Sequence, residues 1–210
     1  MNLPWLIVTS DATRHIVPAQ VYLFGKYLPE VEPQYIDLRS ENVGVWCTNV
    51  LDKLPPVDYC VFGLDDYLPT GQIDMVQLAR AFEILKRDKL DRWELGFSAP
   101  RKKPLDDRGE YLCTTATTSY SVSAQFAIWD MKKLRETLNA HGTPWHWEVK
   151  GECICGCFRR PVFTWLESSA LSGKRWPGET NVIGMPPGDV KELEVLRLIH
   201  PPYKKIVNAN

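Results

Sequence analysis

The sequence predicts an α/β domain with a mostly parallel central sheet flanked by helices, and three features carry that expectation. Short apolar runs of strand length stand at Trp5-Leu6-Ile7-Val8-Thr9 and at Val57 to Phe62, each followed by polar loop chemistry, as buried strands of a parallel sheet are. Between them Val17, Val21, Phe24 and Leu28 recur at helical spacing. Strand, helix and strand in that order form a βαβ alternation.

The 210 residues, 44% of them hydrophobic, suit one domain with a sizeable core. With 25 basic and 26 acidic residues the chain has no electrostatic footprint for nucleic acid, although a nucleic-acid acceptor held by local contacts stays open. No run reaches the roughly 18 apolar residues of a membrane span, and Met1-Asn2-Leu3-Pro4 lacks a basic leader region. The expectation is a soluble, intracellular protein. Its six cysteines, several of them single in apolar surroundings like Cys47 and Cys60, read as reduced thiols rather than a disulfide scaffold.

Taken in order, the first strand ends at Ser10-Asp11-Ala12-Thr13-Arg14, a polar loop before a helix that admits Pro18 only in its first turn. A hydroxyl, a carboxylate and a guanidinium beside a helix N-terminus suit a phosphate. The same loop also reads as ordinary capping by Asp11 or Thr13. Gln34 to Leu38 and Val43 to Cys47 read as a second and third strand.

The strand Val57 to Phe62 runs into Gly63-Leu64-Asp65-Asp66-Tyr67-Leu68-Pro69-Thr70-Gly71. Ligands of open α/β sheets bind beyond the carboxyl ends of strands, where Asp65 and Asp66 fall. Turn chemistry alone also accounts for two aspartates before Pro and Gly.

Gln72 to Arg87 carries Met75, Leu78, Ala79, Phe82 and Leu85 on one helical face. Arg92 to Phe97 alternates polar with apolar, predicting a strand with one wet face. Residues 98 to 110 read as a mobile, charged loop in which Arg101-Lys102-Lys103 stand ready either for an anion or for solvent. Tyr111 to Cys113 is extended, and Asp130 caps a helix with Met131, Leu134 and Leu138 on its buried side.

Thr143 as N-cap and Pro144 at the first helical position open a short helix, Thr143-Pro144-Trp145-His146-Trp147-Glu148. Two tryptophans around a carboxylate suit a sugar ring, and equally suit two core rings with an exposed Glu. Cys153-Ile154-Cys155-Gly156-Cys157 reads as a strand whose thiols share a face, with a hairpin turn near Gly156. A zinc site drawing on these thiols with His146 or His200 is the competing reading, against which no second cysteine pair stands. From Ser168 to Gly188 the chain is loop-rich, and Asp189 caps a final short helix.

Four pieces of the chain, over roughly residues 3 to 150, resemble GT-A-type glycosyltransferases of phage and bacterial surface-polysaccharide gene sets. They are the Ser10-Asp11 loop with Tyr22-Leu23-Phe24-Gly25-Lys26-Tyr27, the acidic Leu64-Asp65-Asp66, the segment Ser123-x-Gln125-x-x-Ile128-Trp129, and Pro144-Trp145-x-x-Glu148. The resemblance implies a single GT-A-like, Rossmann-like domain. Residues 1–97 would form a nucleotide-sugar-binding half, 98–167 an acceptor and catalytic half, and 168–210 a loop-rich C-terminal segment. It implies transfer of a sugar from a nucleotide-sugar to a hydroxyl of a glycan or other acceptor, in the cytoplasm, including that of a phage-infected host. Ser10, Asp11, Arg14 and Asp65 would contact the donor, and Asp66 the diphosphate and its Mn²⁺ or Mg²⁺, with His200 a further candidate ligand. Gln125, Trp145 and Trp147 would hold the acceptor, and Glu148 would be the general base. The family spacing in the acidic motif is Asp-x-Asp, whereas Leu64 occupies its first position here. A nucleotidyltransferase would carry a Gly-rich phosphate loop that Ser10 to Arg14 lacks, while a noncatalytic nucleotide-sugar binding module fits the same pattern.

Overall fold

The structure, a computed structural model, describes residues 3–11, 13–38, 43–96, 105–114 and 121–167. Of the reading of residues 98–110 as a loop, the part over 98–104 lies outside these residues, as do the readings of Asp189 as a cap and of His200 as a ligand.

Its first half is a continuous β-α-β-α-β run: β1 (Trp5–Ser10), α1 (Val17–Tyr27), β2 (Pro33–Leu38), α2 (Trp46–Leu51) and β3 (Tyr59–Leu64). After β3 come β4 (Tyr67–Pro69), α3 (Met75–Arg87), β5 (Arg92–Glu94), β6 (Leu105–Asp107) and β7 (Leu112–Thr114). The last described elements are β8 (Ala127–Asp130), α4 (Met131–Asn139), α5 (Pro144–Lys150), β9 (Cys155–Cys157) and β10 (Trp165–Glu167).

Eight strands form one sheet in the order β2-β1-β3-β8-β5-β9-β7-β6, and β10 pairs with β4 apart from it. The sheet is mixed, not mostly parallel. β1 runs parallel to β2 and β3, and β5 to β9, but β8 lies antiparallel between β3 and β5, and β7 pairs antiparallel with both β9 and β6. By these pairings β7 and β8 run the same way, against the other strands they pair with. Following the pairings, β1, β2, β3, β5 and β9 nonetheless point the same way, so their carboxyl ends share one edge of the sheet.

Side-chain alternation sorts the core onto two faces. Trp5, Ile7, Val61, Phe126 and Ile128 pack against α1 and α3, while Leu6, Val8, Cys60, Phe62, Ala127 and Trp129 pack against α2, α4 and α5. Gly63 admits the Phe126 ring: a Cβ there would stand 2.5 Å from Phe126 Cδ1, closer than carbon atoms approach.

Four elements differ from their sequence reading. β6 lies inside the segment 98–110 that reads as a loop, its backbone held in a strand by antiparallel pairing with β7. Val43 to Cys47 is not a strand but a 3-10 turn (Val43–Val45) running into α2, whose buried Cys47 and Val50 keep the helical period. Gly156 is the middle of β9, paired with Trp93 and Cys113, rather than a hairpin turn. The buried stripe of α1 is Ala19, Gln20, Leu23, Phe24 and Tyr27, so Val21 stands exposed and Gln20 lies inside. The helix caps agree with expectation: Asp130 Oδ1 accepts the Lys133 N–H at 3.0 Å, and Thr143 Oγ1 accepts the His146 N–H at 3.1 Å.

Candidate functional site

Strand register decides which predicted residues meet. Val8 pairs with Leu64, and the Asp65 N–H continues that ladder by donating to Val8 O at 3.1 Å. Ser10 pairs with Leu38. On the other side of β3, Phe62 pairs with Ala127, so the entry to β8 lies at the end of the sheet where β3 runs out at Leu64. The ends of β1, β2 and β3 and the entry to β8 therefore bring Ser10, Asp66 and Gln125 to one edge of the sheet.

At that edge the two aspartates have separate fates. They form a two-residue turn between β3 and β4. Asp65 is 2% exposed while Asp66 is half-buried. Asp65 is thus corrected from a donor contact to an interior carboxylate. Its charge, after burial, is the second cause pushing the Tyr35 hydroxyl above its ordinary range.

The loop after β1 is tightly turned. The Thr13 N–H donates to Ser10 O at 3.0 Å, and the Ser10 and Thr13 hydroxyl oxygens are 3.1 Å apart. Ser10 is therefore engaged within its own loop. Arg14 opens a 3-10 turn, Arg14–Ile16, and α1 starts only at Val17. The guanidinium is paired with Asp11 at 3.0 Å and with Asp37 of β2, so a phosphate reaching it would displace one carboxylate. All three side chains are about half exposed, and exposed pairs of this kind contribute only about 0–1 kcal/mol.

Glu148 sits in α5, and its Oε1 accepts the Ala124 N–H at 2.7 Å. That bond ties α5 to the residue before Gln125. Gln125 is half-buried, its N–H donates to Ser123 Oγ at 3.2 Å, and its Oε1 is shielded from solvent with no hydrogen-bond partner among the described residues.

The two tryptophans part company. At about 100° per residue, positions 145 and 147 lie on opposite sides of a helix, whereas 145 and 148 share one. Trp145 is 61% exposed and Trp147 fully buried. Trp147 stacks on Trp129 with centroids 5.9 Å apart, meets Phe62 edge-on, and donates its Nε1–H to Thr137 Oγ1 at 3.0 Å. Trp147 is corrected from an acceptor contact to a core residue, leaving Trp145 and Glu148 on one helix face.

The face of β5 expected to be wet is covered. Arg92 is 1% exposed, with Nη1 donating to Cys155 Sγ at 3.3 Å and lying 3.7 Å from Glu94. Strand alternation does not tell an interior strand from an edge, and β5 lies between β8 and β9. Cys153 and Cys155 are buried and Cys157 half-buried; burial pushes the Cys157 thiol up to about 12. Among the described residues no three His, Cys, Asp or Glu side chains converge as a metal-ligand set, so the zinc reading through Cys153, Cys155, Cys157 and His146 is not met there.

Sequence reasoning missed Gln20. It is fully buried in α1, and its Nε2 donates to Leu64 O at 3.2 Å and to Tyr67 O at 2.9 Å, the two carbonyls flanking Asp65-Asp66. Its Oε1 accepts the Tyr35 hydroxyl at 2.9 Å. A glutamine one residue off the apolar stripe, facing a strand end, was the available signal.

No family model matches the chain, and no curated protein matches it. Among solved structures it is similar to A197 from STIV, at 12% identity and a TM-score of 0.44 over 79% of this chain and 84% of that one. A likeness at that distance carries no argument about activity.

Proposed function

We propose that the protein is a glycosyltransferase that moves a sugar from a nucleotide-sugar to an acceptor hydroxyl at the edge where β1, β3 and the entry to β8 end. The observation that supports this reading is that the turn carrying the half-buried carboxylate Asp66 follows β3, while Glu148 accepts the Ala124 N–H at the entry to β8, the strand that pairs with β3. Phosphate-bearing ligands of α/β sheets lie at such an edge.

Glu148 is the general base. It takes the proton of the acceptor hydroxyl as that oxygen bonds to the anomeric carbon. The bond from the anomeric carbon to the diphosphate oxygen breaks, and the nucleoside diphosphate leaves with the electron pair. The Ala124 N–H fixes the orientation of the carboxylate, and Trp145, on the same helix face, offers the apolar side of an acceptor ring a flat partner. Arg14 would exchange a carboxylate for the donor's phosphate.

A divalent Mn²⁺ or Mg²⁺ fits this edge only as an ion carried with the diphosphate. Among the described residues Asp66 would be the carboxylate that meets it, since Asp65 is interior. Such an ion would neutralise charge on the leaving diphosphate.

Incubation with a panel of nucleotide-sugars tests the reading. Release of free nucleoside diphosphate, accelerated by glycan or other hydroxylated acceptors, is expected. Donor binding without any release would make the protein a binding module instead.

A further inference from the structure

The turn that carries Asp66 joins two sheets. β3 ends at Leu64 and pairs with β1 and β8, whereas β4 begins at Tyr67 and pairs with β10 in a separate sheet. Where the chain passes from one sheet to the other, the carbonyls of Leu64 and Tyr67 both take a donor from α1. A single side chain supplies both. Gln20 Nε2 lies 3.2 Å from Leu64 O and 2.9 Å from Tyr67 O, spanning the turn like a staple. The staple is itself held, because Gln20 Oε1 accepts the Tyr35 hydroxyl at 2.9 Å. Gln20 is fully buried, and no conformational freedom is left to its amide once all three contacts are made. Burial and the nearby Asp65 charge keep the Tyr35 hydroxyl protonated, and therefore a donor, throughout the physiological range.

We infer that Gln20 is a positioning residue that sets the placement of Asp66, with Tyr35 fixing the orientation of its amide. The inference rests on the proposed role of Asp66 at the donor diphosphate. Gln20 belongs to α1, which begins just after the Ser10 to Arg14 loop, and Tyr35 belongs to β2, which carries Asp37, the partner of Arg14. The network therefore joins the two parts of the donor site, the loop after β1 and the turn after β3, through one buried amide. An amide suits the task because it both donates twice and accepts. Glutamate at the same place would set a carboxylate against two carbonyl oxygens, and leucine would leave both carbonyls without their donor.

The experiment compares the full chain with Gln20→Leu and Tyr35→Phe, reading hydrogen exchange and steady-state kinetics with a nucleotide-sugar. In Gln20→Leu, exchange of the Asp65 to Tyr67 amides should speed up by roughly tenfold or more, while amides of β8 and α4 keep their protection. Its kcat should fall by about tenfold or more, with a smaller change in donor KM. Tyr35→Phe leaves both carbonyl contacts in place, so it should fold and show the same pattern at a smaller size. Unchanged exchange in the turn would overturn the inference. So would faster exchange spread evenly over the sheet, or a kcat loss fully explained by the unfolded fraction, since either would make Gln20 a general core residue. If the wild-type protein turns over no nucleotide-sugar, the proposed function fails by itself, and the exchange pattern alone decides whether Gln20 holds the turn.

Discussion

Replacing Glu148 by Gln separates its two duties, because only one of them needs a charge. The Ala124 N–H bond at 2.7 Å survives as a bond to an amide oxygen. Hydrogen bonds to charged groups contribute about 1.5–3 kcal/mol and neutral ones about 0.5–1.5, so the folded state should lose roughly 1 kcal/mol. For a domain of this size that lowers Tm by about 2–4 °C. Loss of a positioned base, by contrast, costs about 10²–10⁴-fold in rate, or roughly 3–5 kcal/mol of barrier. Transfer by Glu148→Gln should therefore fall at least about a hundredfold in a protein that is folded at assay temperature, with donor affinity nearly unchanged. Glu148→Ala should show the same loss of rate, and a larger drop in Tm, because the Ala124 N–H, on a residue only 2% exposed, then loses its acceptor. Thermal unfolding followed by circular dichroism, with transfer rates measured well below Tm, reads both quantities. A Gln variant with near-normal transfer would refute the base assignment. A loss that appears only as weaker donor binding would make Glu148 a donor contact.

Trp147→Ala should destabilise by about 3–5 kcal/mol, since it empties a site packed by Trp129 and Phe62 and removes the donor to Thr137 Oγ1, whereas Trp145→Ala should leave Tm within a degree or two and act on acceptor KM; equal Tm values for the two would contradict the core assignment. Asp88 offers a pH test. The Arg87 guanidinium, at 2.7 and 2.8 Å, and the Tyr111 hydroxyl, at 2.8 Å, hold its carboxyl down to about 2. A carboxyl lowered on folding stabilises fully above its unfolded value of 3.8, and that contribution disappears as pH falls through about 2. Asp88→Asn should flatten the dependence of stability on pH across this window, and an unaltered slope would rule the interaction out as a source of it.

What the sequence made legible was local. Asp130 and Thr143 cap their helices as read, because a cap depends on residues within one turn. β1 and β3 are where the apolar runs stand, since continuous burial leaves its mark on each strand separately. What failed was either rotational phase or long-range neighbourhood. Val21 and Gln20 differ by one position on α1, and only packing against the sheet decides which turns inward. Trp145 and Trp147 both read as candidate stacking rings, but α2, α4 and the far face of the sheet claim only Trp147. Val43 to Cys47 reads as a strand by composition, yet the βαβ connection needs a crossover there and the segment supplies it as a helix. Arg92 and Glu94 look solvated until β8 and β9 close on either side of β5. At the candidate site the strand end before Asp66 and the helix that carries Glu148 were legible. The burial of Asp65 and the Gln20 contacts were not, because both depend on which strands the turn after β3 connects.

The central claim stands or falls on Asp66. Turnover and binding of the nucleotide-sugar that the panel identifies, with Mn²⁺ or Mg²⁺ present and absent, should be compared between the wild-type protein and Asp66→Asn. The account predicts cation-stimulated release of nucleoside diphosphate that falls by about a hundredfold or more in the variant, with the fold retained because Asp66 sits in a turn outside both core clusters. Undiminished turnover by Asp66→Asn, or turnover indifferent to divalent cations, would contradict it.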